Sequence, residues 1–128
     1  MKIELDTKDI DLFAKALKKD AKKLQLNLKK AMAVNALEVQ STAKSQGYVP
    51  VKTGNLKRSI THDPITIAGK RIYTEIGSNL DYAAIQEFGG TTKHGAKITG
   101  KRYIHRAFED TKERQKEKIR KYIAKTLI

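Results

Sequence analysis

Apolar side chains in the first third of the chain recur at steps of three and four. Ile10, Phe13, Leu17, Ala21, Leu24, Leu28 and Ala31, closed by Asn35, trace one face of a helix. From Met32 onward the apolar positions move to an adjoining face through Ala36, Val39 and Ala43, which predicts a bend or a second partner near the middle. Met1 to Leu5 alternate apolar and polar as a short strand would, and Asp6 or Thr7 then supplies a cap. Asp9 and Asp11 follow in the first turn, where carboxylates interact favourably with the helix dipole. The pattern ends by Gly47, so one uninterrupted helix would measure about 55 Å at 1.5 Å per residue. The rest of so small a chain cannot cover a helix of that length, and this argues for self-association.

Gln46 to Arg58 reads as a loop, since Gly47, Pro50 and Gly54 interrupt regular structure, with Thr53 capping one short turn through Leu56 to Arg58. A hairpin follows within 59–78. Ile65 and Ile67 alternate, Ala68-Gly69-Lys70 turns, and Ile72, Thr74 and Ile76 alternate on the return, with Pro64 at a strand start or edge. A short helix spans 80–89, with Tyr82, Ile85 and Phe88 on one side and Gly89-Gly90 as its stop. Residues 90–102 lack periodicity and read as a mobile loop. A last helix over 103–127 is strongly patterned through Ile104, Phe108, Thr111, Gln115, Ile119, Tyr122, Ile123 and Leu127. The expectation is a single α+β domain over residues 1–128. In it a small antiparallel sheet is packed by a long N-terminal helix and a C-terminal helix, with mobile loops at 46–58 and 90–102.

Composition narrows the function classes. Hydrophobic residues make up 39% of the 128, aromatics 6%, and there is no Trp, which leaves a thin core. The absence of Cys excludes disulfides and thiolate metal sites. No apolar run is long enough to span a bilayer, and the first residues lack the apolar core of a signal peptide, so neither membrane insertion nor general secretion is expected. The net charge of +13 invites a nucleic-acid reading. Its distribution argues against a dedicated binding face: basic and acidic residues number ten and six over 1–48, seven and four over 49–100, and ten and four over 101–128. Such mixing marks solvated helix faces. A polyanion-facing surface, if present, falls to the loop bearing Lys93, Lys97, Lys101 and Arg102.

Catalytic patterns are missing. His62, His94 and His105 are far apart and have no ligand-spaced Cys, Asp or Glu, so no metal site is expected. Gly95 and Gly100 have phosphate-loop spacing, but Lys101-Arg102 follows where a nucleotide loop needs a hydroxyl after its Lys. No Ser, Thr or Lys has an activating partner motif, and the acids pair with bases along helices. The reading is of a non-enzyme without cofactors.

Three segments carry a positive signal. They are Pro50-Val51-Lys52-Thr53-Gly54-Asn55-Leu56-Lys57-Arg58-Ser59-Ile60, Tyr82-Ala83-Ala84-Ile85-Gln86-Glu87-Phe88-Gly89 and Tyr103-Ile104-His105-Arg106-Ala107-Phe108. In order and spacing they resemble a family of bacteriophage and prophage neck and tail-completion proteins of long-tailed phages. The third segment departs from the family pattern, with Arg102 and Arg106 where prolines are usual. The resemblance implies a structural protein at the head–tail junction of the virion, assembled in the bacterial cytoplasm. Copies would form or join a ring between the connector and the tail tube or terminator, and the basic loop would face passing DNA. Thr53, Gly54, Leu56, Tyr82, Glu87, Phe88 and Gly89 carry the motif. Tyr82 and Phe88 read as core aromatics, and Glu87 as a carboxylate seeking a Lys or Arg, on a neighbouring subunit for preference. The alternative is a small basic nucleic-acid-binding domain.

Overall fold

The computed structural model describes residues 7–50, 54–68, 71–91 and 93–128. The expected strand at Met1 to Leu5, the Asp6 cap, Thr53, and the Gly69-Lys70 turn lie outside the described residues. Two helices replace the single long one: α1 (Thr7–Lys19) and α2 (Ala21–Lys44). The break falls at Asp20, well before the bend expected near Met32. Asp20 is extended (φ −160°, ψ 95°), and its carboxylate accepts the Lys23 backbone N–H at 3.0 Å. An Asp that can cap competes with helix continuation, and here the cap wins. The break re-phases the apolar stripe. Ala16 is fully buried, while Ile10 and Leu17, which the continuous helix would have turned inward, are about half exposed.

The long helix α5 (Tyr103–Lys125) packs antiparallel against α2. Contacts occur in opposite order along the two: Asn27 Nδ2 donates to Thr126 Oγ1 at 2.9 Å, and Asn35 Nδ2 to the Gln115 carbonyl at 3.3 Å. Helix α1 covers their shared end. There Arg120 holds the buried Asp9 carboxylate through two hydrogen bonds, Nε–Oδ1 at 2.5 Å and Nη2–Oδ2 at 3.1 Å. Leu24, Ala16 and Ile123 form the small core of this end.

A second core lies toward the other end of the helix pair. Val39 and Ala43 of α2, Tyr103 and Ala107 of α5, and Leu56 and Ile60 around the short α3 (Asn55–Ser59) are its centre. Full burial of a side chain such as Ile60 contributes about 1.5–3 kcal/mol.

The expected hairpin is present as two paired stretches. Strand β1 (Thr61–His62) pairs with β4 (Ile76–Gly77), and β2 (Thr66–Ala68) with β3 (Arg71–Tyr73), all antiparallel. The register slips by one residue between them, because Asp63, Pro64 and Ile65 stand opposite Thr74 and Glu75. This is a bulge, a site where a proline without an N–H is tolerated. It is held by the Asp63 N–H to the Glu75 carbonyl (2.9 Å) and Thr74 Oγ1 to the Asp63 carbonyl (2.6 Å).

The segment from 90 to 102, expected as loop, contains structure. After α4 (Ala83–Phe88), strands β5 (Gly89–Thr91) and β6 (Lys97–Thr99) form a second hairpin. Ile98 is the only large apolar residue there, too little to produce a periodic signal. No described helix is long and apolar enough to cross a membrane.

Candidate interaction face around Phe88

Helix α4 is short, and its stability comes from what surrounds it. Its C-terminal carbonyls are taken up by the chain leaving β6: the Lys101 N–H bonds the Gln86 carbonyl at 2.7 Å, and the Arg102 N–H bonds the Glu87 carbonyl at 3.0 Å. Gly89 allows this close passage. It sits at φ +80°, and a Cβ there would fall 2.7 Å from the Gly100 nitrogen and 2.8 Å from the Ile98 carbonyl oxygen. Only glycine satisfies both conditions.

Glu87 points inward and is 6% exposed. Its Oε2 accepts the Ile104 backbone N–H and its Oε1 the His105 backbone N–H, each at 3.0 Å. The carboxylate therefore caps α5 from another element, at the end where the helix dipole favours negative charge. Among the described residues Glu87 forms no ion pair, and its carboxylate takes two backbone donors of its own chain. Arg102, the residue flanking α5, supplies no side-chain cap of its own and is held at φ 48°, ψ 41°. It is the only non-glycine residue at positive φ among the described residues, a conformation costing about 1–2 kcal/mol. The bonds converging on Glu87 and Arg102 offset that strain.

Tyr103 begins α5 in full burial, its hydroxyl 3.3 Å from the Ala83 carbonyl. Burial first, and the Glu87 charge second, push its phenol up to about 12. Thus α4, the β5–β6 hairpin and the start of α5 are tied into one mount.

Phe88 projects from that mount. It follows the buried Glu87 directly, yet is 73% exposed, and Tyr82 at the other end of α4 is 41% exposed. Both were expected in the core, and neither is there. On a helix consecutive residues point about 100° apart, so burying Glu87 turns Phe88 outward. Aromatic side chains, Phe among them, are enriched in the cores of protein interfaces relative to the rest of the surface.

A family model described as "Bacteriophage HK97-gp10, putative tail-component" matches residues 11–89. The chain belongs to this HK97-gp10-like family. It is thus related to phage tail components, a structural class. No curated protein and no solved structure matches the chain. The family match ends at Gly89, so it contains the Thr53–Ile60 and Tyr82–Gly89 segments. The Tyr103–Phe108 segment, where the proline pattern departs, lies beyond it.

The family-motif residues divide into two groups. Gly54 precedes α3 at φ +80°, and Leu56 is buried in the core. Tyr82, Glu87, Phe88 and Gly89 assemble around α4, joined there by Lys101 and Arg102. Lys93 and Lys97 lie exposed on the β5–β6 hairpin, and neither forms an ion pair among the described residues.

Arg106 is a contributor that sequence reading passed over. Its guanidinium donates to three carbonyls, those of Lys101 (2.9 Å), Gly47 (2.9 Å) and Tyr48 (3.0 Å), and lies 5.2 Å from the Tyr48 ring centroid. An Arg in the family's usual proline position thus ties the 47–48 turn to the mount. The Tyr48 hydroxyl in turn donates to Asp110 at 2.5 Å, a bond that raises the phenol's pKa. Among the described residues no group of His, Asp or Glu is arranged to hold a metal ion.

Proposed function

We propose that this protein is a structural part of the head–tail junction of a long-tailed phage or prophage, acting in tail completion through ring-forming protein contacts. The observation that carries this reading is Phe88, an aromatic of the family-matched segment held in solvent on a braced mount. Membership of a tail-component family supplies the class of assembly. The contacts are with copies of itself and with connector, terminator or tail-tube proteins. The lysines of the neighbouring hairpin serve an anionic surface on one of these partners or the DNA that passes. Its place of action is the virion, reached through assembly in the host cytoplasm.

The test is complementation of a phage lacking this gene with Phe88→Asp. The variant is expected to match wild-type solubility and melting temperature while tailed particles fall by about tenfold or more. Wild-type particle yield would refute the assembly reading. Tight, salt-steep binding of duplex DNA by the free protein would replace it with the nucleic-acid one.

A further inference from the structure

Along the sequence basic and acidic residues are mixed, but folding sorts them. Three helix ends meet at one corner: the last turn of α1, the first turn of α2 and the last turns of α5. Lys19 Nζ donates to the Leu127 carbonyl at 2.9 Å, and Lys23 Nζ to the Ile128 carbonyl at 3.2 Å. These bonds fasten the α1–α2 break onto the end of α5, so segments far apart in sequence become neighbours.

Residues 15–23 hold five lysines, and 121–128 hold two more. The single acid in these stretches is Asp20, whose carboxylate is taken by the Lys23 backbone N–H. With Lys19 and Lys23 engaged in the joint, Lys15, Lys18, Lys22, Lys121 and Lys125 remain. All five are exposed, and none forms an ion pair among the described residues. Lys125 rests over the Tyr122 ring, 4.3 Å from its centroid, which positions the ammonium without neutralising it. Other cations of α5 serve the fold: Arg106 binds three carbonyls, Arg114 and Lys118 hold Glu38, and Arg120 holds Asp9. Like charges gathered at one corner repel, and a polyanion relieves that repulsion.

Residue type points to the partner. Neither stretch contains an Arg. The planar Arg fork is the group that matches carboxylates on a protein face, and Lys is depleted at protein interfaces. Lysines act on nucleic-acid phosphates as point charges, releasing counterions without a fixed geometry. Duplex DNA, with one charge per about 1.7 Å of axis, is the densest such partner.

We propose that the α1–α2–α5 corner is a sequence-independent contact for the phosphate backbone of duplex DNA, made by Lys15, Lys18, Lys22, Lys121 and Lys125. The inference goes beyond the assembly reading and does not depend on it. The corner lies at the Lys125 end of α5, whereas Phe88 and the β5–β6 hairpin lie at its Tyr103 end, about 30 Å away along the helix. Protein and DNA contacts are thereby separated, and Lys93 and Lys97 are left for a protein partner. Five phosphate contacts predict a slope of log affinity against log salt of about −4.5, with dissociation constants of about 1–100 μM at physiological salt. Such binding is weak and carries no sequence preference.

Fluorescence anisotropy of a short duplex of arbitrary sequence, titrated with the full chain between about 50 and 200 mM salt, reads both quantities. Protein carrying Lys18→Gln, Lys22→Gln and Lys125→Gln is expected to melt as the wild type does, since all three positions are exposed. Its salt slope should shrink by about 3 and its affinity fall by more than about tenfold. Should that variant melt lower, Lys121→Gln with Lys125→Gln takes its place, with a slope smaller by about 2. Lys93→Gln with Lys97→Gln should bind the duplex as the wild type does.

No duplex binding by the wild type at the lowest salt, or a loss caused by the hairpin pair and not by the corner variant, overturns the corner. If the corner variant binds DNA normally yet blocks tail assembly, the corner docks on an acidic protein, and this inference fails while the assembly reading stands. Normal tails with Phe88→Asp, together with the expected loss of DNA binding in the corner variant, end the assembly reading and keep the corner.

Discussion

Replacing Glu87 with Gln removes a charge while keeping size and burial. In the wild type two oxygens each receive one N–H from the first turn of α5, at 3.0 Å. A glutamine offers one oxygen, and its amide then faces the second N–H donor to donor. Hydrogen bonds to a charged group contribute about 1.5–3 kcal/mol each, and the unpaired buried donor adds a desolvation cost. The dipole interaction adds about 0.3–1 kcal/mol. These terms overlap, so Glu87→Gln is expected to destabilise the folded chain by about 2–3 kcal/mol. At roughly 3–5 °C per kcal/mol for a chain of this size, the melting temperature falls by about 6–15 °C. Urea unfolding at neutral pH, followed by circular dichroism, measures the difference, and amide exchange at Ile104 and His105 localises it. A loss below about 0.5 kcal/mol, the range of an ordinary surface change, would refute the capping role. It would restore the alternative in which Glu87 serves a neighbouring subunit, since such a residue changes association and not the stability of the isolated chain.

Arg106→Lys should cost about 2 kcal/mol and speed amide exchange around Tyr48, because an ammonium cannot reproduce a planar fork over three carbonyls; unchanged exchange there would contradict the staple. Asp20→Ala is expected to lower stability by about 1 kcal/mol in the same urea assay, as α2 loses its N-cap; unchanged stability would mean that the cap does not support α2. Glu38 lies between Arg114 and Lys118. Burial works against its charge, but the hydrogen bonds and charges of Lys118 and Arg114 together outweigh it and hold its pKa below the ordinary 4.5. Its contribution is therefore complete above that value and is lost as pH falls through the lower folded pKa. Glu38→Gln should accordingly flatten the acid limb of stability against pH and leave the alkaline limb unchanged.

The helices were legible because burial and period coincide. Leu24, Ala31, Val39 and Ala43 on α2, and Thr111, Gln115 and Ile123 on α5, are buried at the positions their spacing marks. The hairpin was legible from the alternation of its isoleucines. Two things escaped. Asp20 interrupts an unbroken apolar period, and a capping side chain leaves no trace in hydrophobicity. The β5–β6 hairpin is held by backbone pairing around glycines, with Ile98 its lone large apolar side chain. Backbone geometry of that kind does not register in a side-chain pattern.

The Glu87-Phe88 pair shows why the candidate face was harder to read than the fold. A carboxylate beside an aromatic invites the assignment of charge outside and ring inside. The reverse occurs because α5 starts at a strained Arg102 with no side-chain cap of its own, and its first amides need an acceptor from elsewhere. Glu87 meets that need only by turning inward, and the 100° step of the helix then places Phe88 in solvent. The long-range demand of one helix terminus thus sets the exposure of a residue on another helix. Shortening Glu87 to Asp should therefore act on both functions at once. The carboxylate no longer reaches both amides, α4 shifts to follow it, and Phe88 is displaced from its mount. Stability and tail assembly should fall together in Glu87→Asp, while Phe88→Asp lowers assembly alone. Normal assembly by a Glu87→Asp protein that has lost stability would separate the cap from the display of Phe88 and refute the coupling.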